Sequence, residues 1–168
     1  MNKEATSGVR IGEDAPSFEL MSDAGGKVKL SDFRGRPVVL YFYPRDDTPG
    51  CTIEAKEFQA RLEDFETAGA VVVGVSPDGI ELHCAFAEKH GLEFTLLADV
   101  DHEAAKKYGV WVEKNRNGKK SWGIQRATFL VDASGKVAGA WPRVSPEGHA
   151  AEVLEAVKAL AQSEPVPR

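Results

Sequence analysis

Residues 41–52 read YFYPRDDTPGCT. They close an apolar run, Val38, Val39, Leu40, Tyr41, Phe42 and Tyr43, whose β-branched and aromatic residues fit a strand buried on both faces of a sheet. Pro44 ends that strand. Arg45, Asp46 and Asp47 are turn chemistry, Thr48 is placed to cap a helix, and Pro49 suits the first helical position because its missing N–H would be unpaired there anyway. Cys51 then falls in the opening turn of the helix.

A sulfur at that place is expected to meet backbone N–H groups without helical partners and the positive end of the helix dipole, both of which favour an anion. An ordinary thiol, with a pKa of ~8.5, is only about 3% ionised at neutral pH, and the thiolate is the nucleophile. Asp46 and Asp47 oppose ionisation. A reactive Cys51 therefore needs a cation from elsewhere in the chain. Arg45, Lys56, Arg126 and Arg143 are the candidates, and charge alone does not choose among them.

Composition sets the outer bounds. The 168 residues suffice for one domain with a sizeable core, over residues 1–168 with an ordered part of roughly 10–162. With 42% hydrophobic and 28% charged residues the chain reads as an ordinary globular protein, and a net charge of -5 gives no reason to expect nucleic acid as a partner. No apolar run is long enough to span a bilayer, and MNKEATSGVR has neither a secretory core nor transit-peptide bias, so a cytoplasmic address is expected. Two cysteines, Cys51 and Cys84, are too few for a disulfide framework and are not at metal-ligand spacing. His83 and His90 are expected at the surface or behind the site.

Along the chain, residues 1–9 read as a loose polar terminus. Ala15–Leu20 and Lys27–Leu30 read as a hairpin turning through Ser22–Gly26. After Cys51, Ala55, Phe58, Leu62 and Phe65 mark one helical stripe running to about Glu66. Val71–Val75 is a strand, Ile80–His90 a helix stopped by Gly91, Phe94–Ala98 a strand, and His102–Tyr108 a short helix. A basic turn, Asn115–Lys120, joins two segments able to pair. Thr128–Val131 and Val137–Trp141 are the last strands, a helix with Ala150, Val153, Leu154, Val157 and Leu160 on one face follows, and the tail from Gln162 is polar and expected to fray. Alternating strands and helices with a terminal hairpin and helix give an α/β fold around a mixed sheet covered on both faces.

The segment around Cys51 resembles the active-site segment of peroxiredoxins, in which a proline, a threonine and a cysteine stand where Pro44, Thr48 and Cys51 stand here. FYPRDDTPGCTIE is closer still to the bacterioferritin-comigratory, or PrxQ-like, subfamily. IGEDAPSFEL, FAEKHGLEFTLLAD, QRATFLVD and GHAAEVLEAV extend the likeness over nearly the whole chain. The resemblance implies a thioredoxin-like fold with an N-terminal β-hairpin extension, and a thiol peroxidase without a cofactor. Hydrogen peroxide and organic hydroperoxides would be its substrates, thioredoxin or a similar thiol its reductant, and a monomer its state. It implies that Cys51 attacks the O–O bond and becomes a sulfenic acid, that the Thr48 hydroxyl bonds the sulfur or the peroxide, that Pro44 shields the thiolate, and that Arg126 is the missing cation. Glu54 matches an acidic position expected to orient Arg126.

The sulfenic acid must then be resolved. Many relatives carry a second cysteine where this chain has Lys56, and others carry one in the next helix at the position of Ala87. Cys84 lies one turn earlier in that helix, on the polar side of a wheel whose apolar face is centred on Leu82 and Phe86, so it is expected to be accessible. An intramolecular disulfide between Cys51 and Cys84 and a one-cysteine mechanism both remain open. A thioredoxin-like disulfide oxidoreductase is disfavoured because Glu54 stands where a Cys-x-x-Cys motif needs its second thiol. A non-enzymatic interaction or chaperone module is the remaining alternative.

Overall fold

The computed structural model describes residues 9–163. Its elements are β1 (Glu19–Ser22), β2 (Lys27–Lys29), β3 (Val38–Phe42), α1 (Pro49–Ala60), α2 (Leu62–Thr67), β4 (Val71–Ser76), α3 (Ile80–His90), β5 (Thr95–Ala98), α4 (Glu103–Lys107), β6 (Trp111–Arg116), β7 (Lys119–Ile124), β8 (Ala127–Val131), β9 (Val137–Trp141) and α5 (His149–Ser163). A seven-stranded sheet runs β9-β8-β3-β4-β5-β1-β2, and β6 and β7 form a separate hairpin. β3 pairs parallel with β4 and antiparallel with β8, so the sheet is mixed.

All five residues of β3 are buried. Because side chains alternate along a strand, the run feeds two cores. Val38, Leu40 and Phe42 pack with Tyr108, Val110 and Phe129 on the α4 side. Val39, Tyr41 and Tyr43 pack with Cys51, Phe58, Phe65, Phe86 and Val153, beneath α1, α2, α3 and α5. The face that holds Cys51 is thus lined by aromatic rings. Tyr41 stacks on Phe58 at 4.6 Å and on Tyr43 at 5.4 Å between centroids. This stacking explains Gly74 in the middle of β4, where a Cβ would come within 3.0 Å of the Tyr41 ring and of Leu96.

The expected α/β architecture, with its mixed sheet and N-terminal hairpin, is present. Several boundaries differ for physical reasons. The first strand begins at Glu19 rather than Ala15, because Ala15 donates its N–H to Gly135 and Asp14 bridges to Lys136 instead of joining the hairpin. The stripe after Cys51 is two helices, broken at Arg61, whose φ of -109° and ψ of 10° leave the helical range. α4 starts at Glu103, where the Asp99 carboxylate accepts the N–H groups of Ala104 and Ala105. Val9, expected in a loose terminus, is buried in the core, and Gln162 is still helical; the rest of the expected loose terminus, residues 1–8, and the expected fraying from 164 onward lie outside the described residues. Among the described residues no helix is long and apolar enough to cross a membrane.

Candidate active site

The loop after β3 delivers Cys51 to its place. Tyr43 extends the strand by donating its N–H to the Val75 carbonyl at 3.0 Å, and Pro44 then ends the ladder. Thr48 occupies the N-cap position with an extended backbone, and Pro49 begins α1 as expected. The expected capping bond is absent, however. The Thr48 hydroxyl donates to the Arg45 carbonyl at 2.9 Å, tightening the turn rather than closing the helix. The first helical bond runs from the Thr52 N–H to the Thr48 carbonyl at 2.8 Å, so the amides of Gly50 and Cys51 precede the helical ladder.

Arg126, immediately before β8, comes to the thiol across the sheet. Its Nη2 lies 3.4 Å from Cys51 Sγ, and its Nη1 donates to Glu54 Oε1 at 2.6 Å. Cys51 and Glu54 are buried, and the Arg126 side chain is 14% exposed. One planar guanidinium therefore spans the sulfur and a carboxylate one turn further along α1, with donors at fixed angles. Burial opposes the charge on Arg126, but Glu54 and Cys51 outweigh it and raise its pKa. Burial pushes the Glu54 carboxyl up to about 7 while Arg126 pulls it back, and its Oε2 has no hydrogen-bond partner among the described residues. Arg45, Lys56 and Arg143, the other candidate cations, are exposed.

Two features of this pocket escape a reading of the sequence. Gly50 leaves room for the guanidinium, since a Cβ there would sit 3.1 Å from Arg126 Nη2 and 3.4 Å from Pro146 Cγ. Lys114 on β6 is a second nearby cation, its pKa lowered by burial and by the positive charges of Arg116 and Arg126 and raised by Cys51. Only the arginine that meets Gly50 reveals the first, and only the folding back of the hairpin reveals the second.

Cys84 is exposed, as expected, but the apolar face of α3 is not the one predicted. Leu82 is 55% exposed, whereas His83 and Phe86 are buried. His83 was expected at the surface or behind the site; it is completely buried because it has two partners waiting. Its Nε2 donates to the Leu97 carbonyl at 2.8 Å, and its Nδ1 meets Asp46 Oδ2 at 2.6 Å. Burial opposes protonation of His83, but the Asp46 carboxylate outweighs it and raises the pKa. Asp46, read from sequence as turn chemistry, is buried as well and also accepts the Tyr43 hydroxyl at 2.6 Å. His90 is partly buried and meets Asp47 at 3.0 Å.

The two thiols are free and stand in different places. Cys84 donates to the Asp23 carbonyl at 3.2 Å, beside the end of β1, whereas Cys51 faces Arg126 beside the start of β8. From β8 to β1 the sheet crosses β3, β4 and β5. At ~4.8 Å per strand spacing, strands β8 and β1 are roughly 19 Å apart, and each thiol has its own partner at opposite sides of that span.

A buried thiol held by a guanidinium at a helix start suits nucleophilic attack on an electrophile whose leaving atom takes up negative charge. The AhpC/TSA family model matches residues 11–140. Peroxiredoxin Bcp of Bacillus subtilis is 46% identical over 154 residues, covering 92% of this chain and 98% of that protein. Peroxiredoxin Bcp of Escherichia coli K12 is 41% identical over 150 residues, covering 89% and 96% respectively. A solved structure of the Xanthomonas campestris bacterioferritin comigratory protein, studied for alkyl peroxide reduction through trapped intermediate and ligand complexes, matches with a TM-score of 0.86 at 39% identity over 90% of this chain and 99% of that one. The chain belongs to the AhpC/TSA family and, within it, to the Bcp or PrxQ group of peroxiredoxins.

Proposed function

We propose that this chain reduces hydrogen peroxide and small organic hydroperoxides, with Cys51 as the peroxidatic thiol. The observation that carries this reading is the single guanidinium of Arg126, held at 2.6 Å by Glu54 and lying 3.4 Å from the Cys51 sulfur. The Cys51 thiolate attacks one peroxide oxygen. The O–O bond breaks, the sulfur is oxidised to a sulfenic acid, and the departing oxygen takes a proton to leave as water or alcohol. Arg126 stabilises the sulfur anion before the step and the charge on the leaving oxygen during it. Pro44 closes the pocket against solvent. The Thr48 hydroxyl, which donates to the Arg45 carbonyl, keeps its lone pairs to accept a hydrogen bond from the peroxide O–H.

Resolution follows by attack of the Cys84 thiol on the sulfenic sulfur, releasing water and leaving a disulfide that thioredoxin or a similar dithiol reduces with two electrons. The separate partners of the two free thiols, Asp23 for Cys84 and Arg126 for Cys51, support a second reading, in which an external thiol resolves Cys51 directly. We place the enzyme in the cytoplasm as a monomer.

The test is one equivalent of hydrogen peroxide added to the reduced protein, followed by intact mass and free-thiol assay. Rapid loss of the Cys51 thiol supports the peroxidase, and its survival over minutes leaves an interaction module. Loss of two protons marks the Cys51–Cys84 disulfide. A gain of two or three oxygens marks a sulfenic acid that nothing resolved.

A further inference from the structure

The loop that carries Pro44 and Thr48 also carries Asp46 and Asp47, and both aspartates reach across to α3. Asp47 is exposed and meets Lys89 at 2.8 Å and His90 at 3.0 Å near the end of the helix. Asp46 is buried and meets His83, the residue beside Cys84, at 2.6 Å. The inner contact is the more specific. The Leu97 carbonyl can only accept, so His83 Nε2 must carry a proton, and the short contact at Nδ1 then holds a second proton between the ring and the Asp46 carboxyl. The far side of Asp46 is fixed too. Its Oδ1 takes the Tyr43 hydroxyl, and its backbone N–H donates at 2.7 Å to Asp78 Oδ2, which also takes the Ser76 hydroxyl at 2.7 Å. β3, β4, β5, the peroxidatic loop and α3 all converge on this one pair.

A disulfide requires Cα atoms about 4.4 to 6.8 Å apart. Both thiols are free, Cys84 bonding the Asp23 carbonyl and Cys51 facing Arg126, so α3 must leave this place and release these contacts before the second thiol can act. We propose that Asp46 and His83 are positioning residues that hold α3 against the peroxidatic loop during peroxide attack and set the rate at which Cys84 reaches the Cys51 sulfenic acid. This rests on the reading of Cys84 as the resolving thiol. The pair makes two demands compatible: the loop is fixed while the peroxide reacts, and the helix opens only when a buried, charge-assisted contact breaks. A consequence is a sulfenic acid long-lived enough to meet a second peroxide.

Two substitutions at one position separate the contacts. Asparagine places its amide nitrogen where Nδ1 sits and can still donate to Asp46; glutamine places its nitrogen nearer Nε2 and can keep only the bond to Leu97. After a stoichiometric peroxide pulse, sulfenic acid formation is followed by loss of the Cys51 thiol and disulfide formation by the two-proton mass loss, with amide exchange of α3 measured on the reduced proteins. In His83→Gln the ratio of disulfide rate to sulfenic acid rate should rise about tenfold or more, with α3 exchange faster to a similar degree, while His83→Asn stays within about threefold of the parent. A folded His83→Gln with an unchanged ratio and unchanged α3 exchange overturns the proposal. Should His83→Gln fail to fold, Asp46→Asn, which removes the carboxylate charge from the same contact, must raise the ratio by about twofold or more, and no rise there overturns it equally. If the parent forms no Cys51–Cys84 disulfide at all, the resolving role is lost, and the exchange comparison between the Gln and Asn variants still decides whether the pair holds α3.

Discussion

At the scale of single residues, the guanidinium of Arg126 matters less as a charge than as a placed object. It has no slack: Glu54 fixes one nitrogen, the sulfur stands beside the other, and the backbone of Gly50 lies below it. Gly50→Ala would push a methyl group to 3.1 Å from Nη2. Since displacements of about 1 Å in a catalytic group can cost 100-fold, the variant should attack peroxide about tenfold or more slowly while its melting temperature changes little. Stopped-flow kinetics of peroxide attack beside a thermal melt checks this, and an unchanged rate would mean the arginine does not need its present place. Glu54 is distinguished by pH. Its carboxyl, raised to about 7 by burial, holds Arg126 as an anion only above that range. Glu54→Gln should therefore slow peroxide attack by about tenfold near pH 8 and by much less near pH 6, where the parent carboxyl is itself protonated. A deficit equal at both pH values would show that ionisation of Glu54 plays no part.

At the scale of elements, β3 and the loop after it were legible because their signals are local: an apolar run, a proline, a capping residue and a second proline. Pro44, Thr48 and Cys51 stand in the order the sequence gives them, and the exposure of Cys84 was also foreseen. The face of α3 was not. A helical wheel scores His83 as polar and Leu82 as core, but His83 is bought into the interior by Asp46, 37 positions away, and by Leu97, 14 positions away. Partners remote in sequence decide where a polar side chain lies. Gly50 was illegible for the same reason, since the guanidinium it makes room for comes from Arg126, 75 positions beyond Cys51. The element-scale prediction concerns α3 as carrier of the second thiol. Cys84→Ser should keep the first turnover within about twofold, because the bond Cys84 makes goes to Asp23 and not to Arg126 or Glu54 beside Cys51, and should lose most of its activity in later cycles with thioredoxin. Sustained cycling at the parent rate would assign resolution to an external thiol.

The molecule as a whole carries its catalytic electrostatics as a stability profile. Glu54 has a folded pKa raised from the ordinary 4.5 to about 7, so the proton it holds stabilises the fold fully below pH 4.5, and that contribution is lost as pH rises through about 7. His83, raised above 6.5 by Asp46 against the opposing effect of burial, acts in the same direction: its contribution is present below 6.5 and is lost as pH climbs through its folded value. His149 acts oppositely. It lies buried between Thr128 and Glu152, and burial lowers its pKa below 6.5, so its contribution is present above 6.5 and is lost as pH falls. The buried carboxyl beside Cys51 and the imidazole beside Asp46 thus both favour the protonated side of neutrality, and their joint contribution should weaken as pH rises from about 4.5 through neutrality. The urea midpoint of the parent should fall between pH 6 and pH 8, with the Glu54 share in that window about 1 kcal/mol, and Glu54→Gln should flatten that fall together with the approach to it from pH 4.5, while the His149 contribution, lost as pH falls, stays as it is. A parent midpoint that stays level across neutrality would mean that the Glu54 carboxyl and the His83 imidazole titrate with their ordinary values, and the electrostatic account of both the peroxide pocket and the α3 contact would have to be given up together.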